Sequence, residues 1–298
     1  MKIVVPDYYE KFKCIDKRCK HNCCIGWEID IDNDTYDFYI KEKITDKIIV
    51  ENEIPHFILD ENERCPYLNC DNLCDIILKY GEEKICNICK DHPRFRNYFS
   101  ERVEMGIGLC CEEAGNIILS QNKINLITLY DDVEEPLKEE KDFFDLRDKI
   151  FEIIDEDLPF FSMCEKIFSL LDIKIAKKNI NNLLKFYLTL EPLDNNWFNI
   201  LKGLNDFDYR KLNISFNYRN ILHYFVFRHL SDSVFESDIK ERVIFSVVST
   251  FIIASLCHIY ELKKIDDIVE ICRLYSSEIE YSEENINDCL TYFMNLSV

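Results

Sequence analysis

Apolar and polar residues keep two different periods along this chain. Near the start, "WEIDID" sets Trp27, Ile29 and Ile31 against Glu28, Asp30 and Asp32, the alternation of a strand with one buried face. A helix is expected to begin just after it, near Asp34 or Thr35. Elsewhere in residues 1 to about 120 the apolar runs are short and strand-like, separated by turn signals. From about residue 142 the period lengthens to that of helices, in "FFDLRDKIFEIIDEDL", "NINNLLKFYLTL", "YRNILHYFVFRHL", "RVIFSVVSTFIIASLCHIY" and "IDDIVEICRLY". No repeat of solenoid length is visible. The expected fold is therefore mainly α: a cysteine-rich N-terminal α+β part with short strands over 1–122, then an α-helical domain over 142–298. The charged stretch "DDVEEPLKEEKD", Asp131 to Asp142, contains Pro136 and marks a linker or boundary at about 123–141.

One apolar run is long enough to raise the question of a membrane. Val243 to Tyr260 carries no formal charge, and its length is at the lower limit for crossing a bilayer. Three serines, a threonine and His258 dilute it, and lysine-containing flanks lie on both sides, so a buried core helix is expected and no transmembrane span. With 47% hydrophobic and 13% aromatic residues, 298 residues can bury one large core or two modest ones. The net charge of -20 argues against nucleic acid as a partner, because phosphate binding needs clustered Lys and Arg. It suits a lysine-bearing protein surface. The N-terminus shows no apolar leader pattern, since Pro6, Asp7 and Glu10 interrupt it, and the expected location is the cytoplasm, where thiols stay reduced.

Reduced thiols matter because 15 cysteines are present and 11 of them fall at or before Cys111. They form four groups: Cys14, Cys19, Cys23 and Cys24; Cys65, Cys70 and Cys74; Cys86 and Cys89; Cys110 and Cys111. In a reducing compartment such density points to metal ligation. Zinc knuckles use paired C-x2-C, and only Cys86 and Cys89 have that spacing. The first two groups both read C-x4-C-x3-C, which iron–sulfur sites tolerate better. The C-x3-C-x2-C spacing of radical S-adenosylmethionine enzymes is absent, because Gly26 stands three after Cys23. Neighbouring side chains diverge, so Cys23 and Cys24 serve different atoms, or one ligates while the other packs. Cys164, Cys257, Cys272 and Cys289 lie in apolar helical stretches and read as packing. The Asp30, Asp32, Asp34 series opens like a calcium loop, yet Thr35 and Lys41 stand where such a loop needs Gly and Glu, so it reads as a solvated face.

These motifs resemble a known family. "C-x4-C-x3-CC-x-GW-x-I-x-I", Cys65-Pro66-Tyr67-Leu68, Leu73-Cys74-x-Ile76, Gly81-Glu82-Glu83, Cys89-x3-Pro93-Arg94 and Cys111-x-Glu113-Ala114 are similar to the flagellin lysine N-methylase (FliB-like) family. Part of the pattern also resembles smaller zinc- or iron-chelating cysteine-cluster domains. The similarity is strong to about residue 119 and weaker beyond, where "NILHYFVFRHL" (Asn220 to Leu230) corresponds best.

The resemblance implies methylation of flagellin lysines in the cytoplasm, with S-adenosylmethionine as donor and an iron–sulfur cluster, expected as 4Fe-4S with zinc as the alternative. The ligands it implies are drawn from Cys14, Cys19, Cys23, Cys24, Cys65, Cys74, Cys89 and Cys111, whereas Cys70, Cys86 and Cys110 fall outside its pattern. No glycine-rich nucleotide loop is present, and six glycines leave little material for one. A lysine must lose its proton before it attacks a methyl group, so a base or desolvation has to help. Glu112, Glu113 and His92 sit beside the cysteine motifs as candidate bases, although glutamates are common in a first helical turn anyway. The competing reading is a non-enzymatic zinc- or iron-chelating protein. The methyl-donor site, the catalytic residues and the oligomeric state are not legible from sequence.

Overall fold

A computed structural model describes residues 1–130, 136–175, 179–214 and 216–296. The fold is mainly α with a few short strands, as expected. Six strands occur among the described residues: β1 (Lys2–Pro6), β2 (Ile48–Glu51), β3 (Ile54–Phe57), β4 (Arg94–Tyr98), β5 (Arg102–Ile107) and β6 (Leu126–Tyr130). Two compact units result, and they interleave in sequence. One comprises Met1–Phe12, Arg96–Cys110 and the chain from Ala114 onward; the other comprises Lys13–Phe95 with Cys111–Glu113. The sequence reading had one boundary, at about 123–141. The interleaving arises because β1 pairs in parallel with β5, Lys2 opposite Arg102, and antiparallel with β6. Asp131 to Glu135, within the expected linker, lie outside the described residues.

In the first unit the sheet runs β4-β5-β1-β6. Glu104 of β5 is fully buried and is gripped by Arg147 of the helix Lys138–Asp155 through two parallel bonds, 2.6 Å to Oε2 and 2.7 Å to Oε1. Arg102 adds a third contact at 2.7 Å, and its guanidinium lies 3.3 Å over the Phe144 ring. The fork geometry of arginine matches a carboxylate bidentately, which makes so deep a charge tolerable.

The longest helix, Ile239–Ile259, carries the charge-free run. Every residue from Arg242 to Cys257 is buried, and 89% of its most apolar window is inside the protein. Three of its hydroxyls are satisfied internally, since Ser246, Ser249 and Thr250 each donate to the carbonyl four residues earlier, at 2.7–2.9 Å, whereas the buried Ser255 hydroxyl has no partner. This is the core helix that the diluted apolar run predicted. Cys164, Cys257, Cys272 and Cys289 are all buried in helices, in keeping with packing roles.

The second unit is small and irregular. Its "WEIDID" segment differs from expectation: it is extended but forms one isolated bridge, Asp30 to His56, instead of a strand. Ile31 N–H donates to Pro55 and Phe57 N–H to Ile29, after which the chain turns into a helix. The alternation itself holds, with Ile29 and Ile31 buried and Glu28 and Asp30 exposed. The helix spans Asn33–Glu42, capped by Asp32, whose carboxylate accepts from Thr35 N–H at 3.1 Å. Strands β2 and β3 form a hairpin whose two turn residues, Asn52 and Glu53, both have positive φ, the geometry that matches strand twist.

Candidate functional site

The first cysteine segment and the second are tied together by backbone. Cys65 N–H donates to the Cys24 carbonyl at 2.8 Å and Gly26 N–H to the Glu63 carbonyl at 3.0 Å. Gly26 sits at φ +90°, a conformation that a side chain would strain. A second turn follows, in which Leu68 bridges Cys74 and the Asn69 side chain accepts from Asp71 and Leu73 N–H. Cys70 is exposed in this turn, while Cys74 is the residue from which the helix Asp75–Tyr80 starts. Cys86 likewise starts the helix Asn87–Asp91. The Asp32 carboxylate, already a cap for its own helix, accepts from Asn87 N–H at 2.8 Å. One side chain thus fixes the Cys86–Cys89 turn to the rest of the unit.

All 15 cysteines are free thiols, and ten of them belong to this unit, namely every one up to Cys89 together with Cys111. They sort into two neighbourhoods. In the first, Cys65 and Cys86 are part of the buried apolar cluster around Tyr39 and Phe57, with Cys24, Cys74 and Cys89 packed against it. The Cys86 and Cys89 sulfurs are 3.5 Å apart. A hydrogen bond joins the pair: accepting it from Cys89 draws the Cys86 thiol down, and the same bond, with burial, drives Cys89 up. Burial pushes Cys65 to about 11 and Cys74 in the same direction, and negative charge on Cys86 would disfavour charge on either. In the second neighbourhood, Cys19 lies against Glu112 with Cys111 and Cys23 near it and Cys14 near Cys23, and a hydrogen bond between the Cys23 and Cys24 thiols links this group to the first. Cys19 is pushed to about 12, by burial first, then by the charges of Glu112, Cys111 and Cys23. Burial also raises Cys14, with a smaller contribution from Cys23.

The eight cysteines expected as ligands therefore divide equally: Cys24, Cys65, Cys74 and Cys89 in the first neighbourhood, Cys14, Cys19, Cys23 and Cys111 in the second. Cys86, set aside in the sequence reading, stands in the first. Its C-x2-C spacing to Cys89 was the signal that could have placed it there. Cys110 belongs to the other unit, where its thiol donates to the Tyr281 hydroxyl at 3.2 Å. The candidate bases have other engagements. Glu112 accepts from Lys20 N–H at 2.8 Å and from the Cys19 thiol at 3.7 Å. His92 is pushed down to about 4 by burial, with its ring 6.0 Å from Trp27. Glu113 is a partly buried residue in the first turn of the helix Glu112–Leu119.

The donor chemistry fits a thiophilic metal. Around one tetrahedral ion with metal–sulfur bonds of about 2.3 Å, sulfurs stand roughly 3.8 Å apart, and the Cys86–Cys89 pair approaches this. Among the described residues, the one group of three ligand atoms all within 4.8 Å of each other is Glu28, Asp30 and His56, on the solvated face. Its His56 and Glu28 already pair at 3.0 Å.

The helical unit has its own polar centre, which sequence reading missed. Within "NILHYFVFRHL", on the helix Tyr218–His229, Tyr224, Arg228 and His229 converge on Glu280 of the π-helical segment Ser276–Glu280. The Tyr224 hydroxyl accepts from Leu109 N–H (3.1 Å) and Arg228 (2.6 Å) and donates to Glu280 at 3.0 Å. Burial would raise the Glu280 carboxyl, but Arg228 and His229 outweigh it and hold it near 2. Only the adjacent Arg-His inside an apolar run hinted at this. Two residues earlier, Glu278 is 3% exposed and accepts from Leu193 N–H at 2.8 Å. Burial pushes its carboxyl up to about 7, and Asp194 adds to that.

A raised carboxyl gives stability that is fully present below the ordinary value of 4.5 and is lost as pH rises through about 7. Glu278→Gln keeps an acceptor for Leu193 and removes the titration. Thermal melts at pH 5, 6, 7 and 8 should show the variant gaining on the parent as pH rises. A constant difference between the two proteins would contradict this.

Comparison with known proteins adds the following. Residues 94–297 match the model of the FliB lysine N-methylase C-terminal domain. The lysine-N-methylases of Salmonella typhimurium and Salmonella choleraesuis are each 26% identical over 132 residues, covering 40% of this chain and 32% of theirs. The flagellar biosynthetic protein FliU of Salmonella muenchen is 26% identical over 132 residues, covering 40% of this chain and 77% of its own. The matched part is thus about a third of the length of the two lysine-N-methylases. No solved structure matches.

Proposed function

The chain belongs to the FliB lysine N-methylase family, whose C-terminal domain model spans residues 94–297, and from that premise we propose that it methylates lysine side chains of flagellin in the cytoplasm, with S-adenosylmethionine as donor. The family match over two thirds of the chain carries the reading. In the reaction a lysine nitrogen forms a bond to the methyl carbon as the carbon–sulfur bond breaks, S-adenosylhomocysteine leaves, and the amine sheds a proton. The proton must be gone before attack: with a lysine pKa of about 10.4, roughly one amine in a few thousand is neutral at pH 7. The surplus of 20 negative charges attracts lysine-rich surfaces at long range, an attraction that salt screens within about 8 Å at 0.15 M.

The reading includes an iron–sulfur cluster held by thiols of the cysteine-rich unit. The spread of its sulfurs supports this over zinc, since a polynuclear cluster distributes its thiolates over separate irons. Cys65, Cys74, Cys86 and Cys89, with Cys24 beside them, are the ligand set. A cluster bound there supplies redox chemistry or a structural clamp, and the raised thiols would give up their protons to it.

Mass spectrometry of flagellin from cells with and without the gene tests the reading. Methyl-sized mass steps on lysines should appear only when the gene is present. Identical spectra, together with stoichiometric metal in the purified protein, would favour a chelating protein that is not an enzyme.

A further inference from the structure

The helical unit contains a cavity of about 390 Å³ whose lining shares no residue with the Glu280 centre. Its wall is made by the end of the helix Lys138–Asp155, the start of the helix Tyr218–His229, and the segment Asn122–Ile124. Two polar atoms in the wall are buried without partners, Nδ1 of His223 and Oδ1 of Asn217. His223 is 5% exposed and stacks face to face on Phe151 at 4.0 Å, which fixes its ring. Burial, aided by the charge of Arg147, pushes it down to about 3, so the ring is neutral. Asn217 is the residue preceding its helix, yet its side chain caps none of the helix amides. Its amide donates instead to Asn220 at 3.2 Å, which leaves Oδ1 as an acceptor.

A buried polar group without a partner costs about 1–3 kcal/mol, and two in one cavity mark a place made for something else. Acceptors beside Ile124 and Ile154 suit a flat, uncharged N–H donor. Directly against His223 the charge of Arg147 disfavours a cation, so the group that meets the ring is uncharged. Other wall residues carry charges of both signs. Lys123 pairs with Asp155 at 2.8 Å and Arg219 with Asp157 at 3.3 Å, all four lining the same cavity. A zwitterion can exchange into such pairs, its ammonium toward the aspartates and its carboxylate toward Lys123 and Arg219. The helix ends reinforce that polarity, negative at the end of one helix and positive at the start of the other.

We propose that this cavity binds an aminopurine nucleoside bearing a zwitterionic amino-acid tail, its base against His223 and Asn217 and its tail among the ion pairs. Resting on the methylase reading, this locates the methyl donor, S-adenosylmethionine, and its product.

Calorimetric titration of the purified full chain with S-adenosylhomocysteine, adenosine and methionine tests the assignment. His223→Phe preserves the stacked ring and removes Nδ1, and it should weaken S-adenosylhomocysteine and adenosine alike, by about fivefold to tenfold for one lost hydrogen bond. Asp155→Asn, at an exposed position where folding is not at risk, should weaken S-adenosylhomocysteine and leave adenosine unchanged. Asp172→Asn, in a surface ion pair elsewhere, should change neither. If S-adenosylhomocysteine binds and both cavity variants bind it as the parent does, the cavity is not the donor site, although the methylase reading survives. Absence of binding to the parent chain, with no methyl transfer to flagellin, would remove both.

Discussion

Serine at Cys65, Cys74, Cys86 or Cys89 is expected to strip the anaerobically purified chain of its iron and to abolish methyl transfer. The parent should be brown, with about four irons and four sulfides per chain, as for a cubane on four thiolates. A hydroxyl is a poor ligand for iron at neutral pH, so one substitution removes a quarter of the cluster's attachment. The damage spreads because two of these positions, Cys65 and Cys86, are also part of the apolar cluster of their unit. Metal binding and local folding are therefore one equilibrium there, and structural metal sites are worth on the order of 10 kcal/mol. Serine at Cys257 or Cys272 should leave iron untouched and cost about 1–3 kcal/mol, the penalty of a hydroxyl in a core. Serine at Cys14, Cys19 and Cys23 separates the two thiol neighbourhoods. Should those variants lose iron while the Cys65 to Cys89 set retains it, the ligand set proposed above is wrong.

The second large effect is on stability. Glu104→Ala leaves the Arg147 guanidinium, 1% exposed, without its carboxylate. Removing one partner of a buried pair costs about 3–5 kcal/mol, a large part of the total stability of a domain. Urea denaturation followed by far-ultraviolet circular dichroism, which reports mainly the helices, should show the midpoint falling sharply. Replacing both partners together, as Glu104→Leu with Arg147→Met, should restore much of the loss, since the aromatic rings of Phe143, Phe144, Phe151 and Phe227 already surround the site. An alanine variant as stable as the parent would mean that water or another acceptor satisfies the two guanidiniums left behind, and that the ion pair adds nothing to stability.

Much of the architecture was legible because helices declare themselves locally. The period of "RVIFSVVSTFIIASLCHIY" and the hydroxyls that dilute it marked a core helix, and the structure buries it. Pairings between distant segments left no such trace. The run "KIVVP" gives no sign that its partners are Arg102–Ile107 and Leu126–Tyr130, and nothing in Glu104 or Arg147 announces a pair 43 residues apart. "WEIDID" shows the opposite limit: its alternation reports which side is buried correctly, but a strand also needs a neighbour of sufficient length, and β3 offers only a few bonds. The cysteines were legible as a population and not as a site. Density and redox state follow from composition, whereas the division around Tyr39 and around Glu112 is decided by how the turns at Gly26 and Asn69 bring the segments together.

The interleaving of the two units sets an order of events during synthesis. Strand β1 leaves the ribosome well ahead of its parallel partner β5, which begins only at Arg102. At about 5–20 residues per second, β1 waits roughly 5–20 s with its edges unpaired. The residues that emerge meanwhile, Lys13–Phe95, make up nearly all of the cysteine-rich unit. If that unit gathers its thiols around metal during the wait, the sheet closes across a folded body instead of a long flexible coil, and the entropy of closure is lower. Metal supply during translation would then govern the yield of the sheet and its helices, although no cysteine of the first unit need touch the metal.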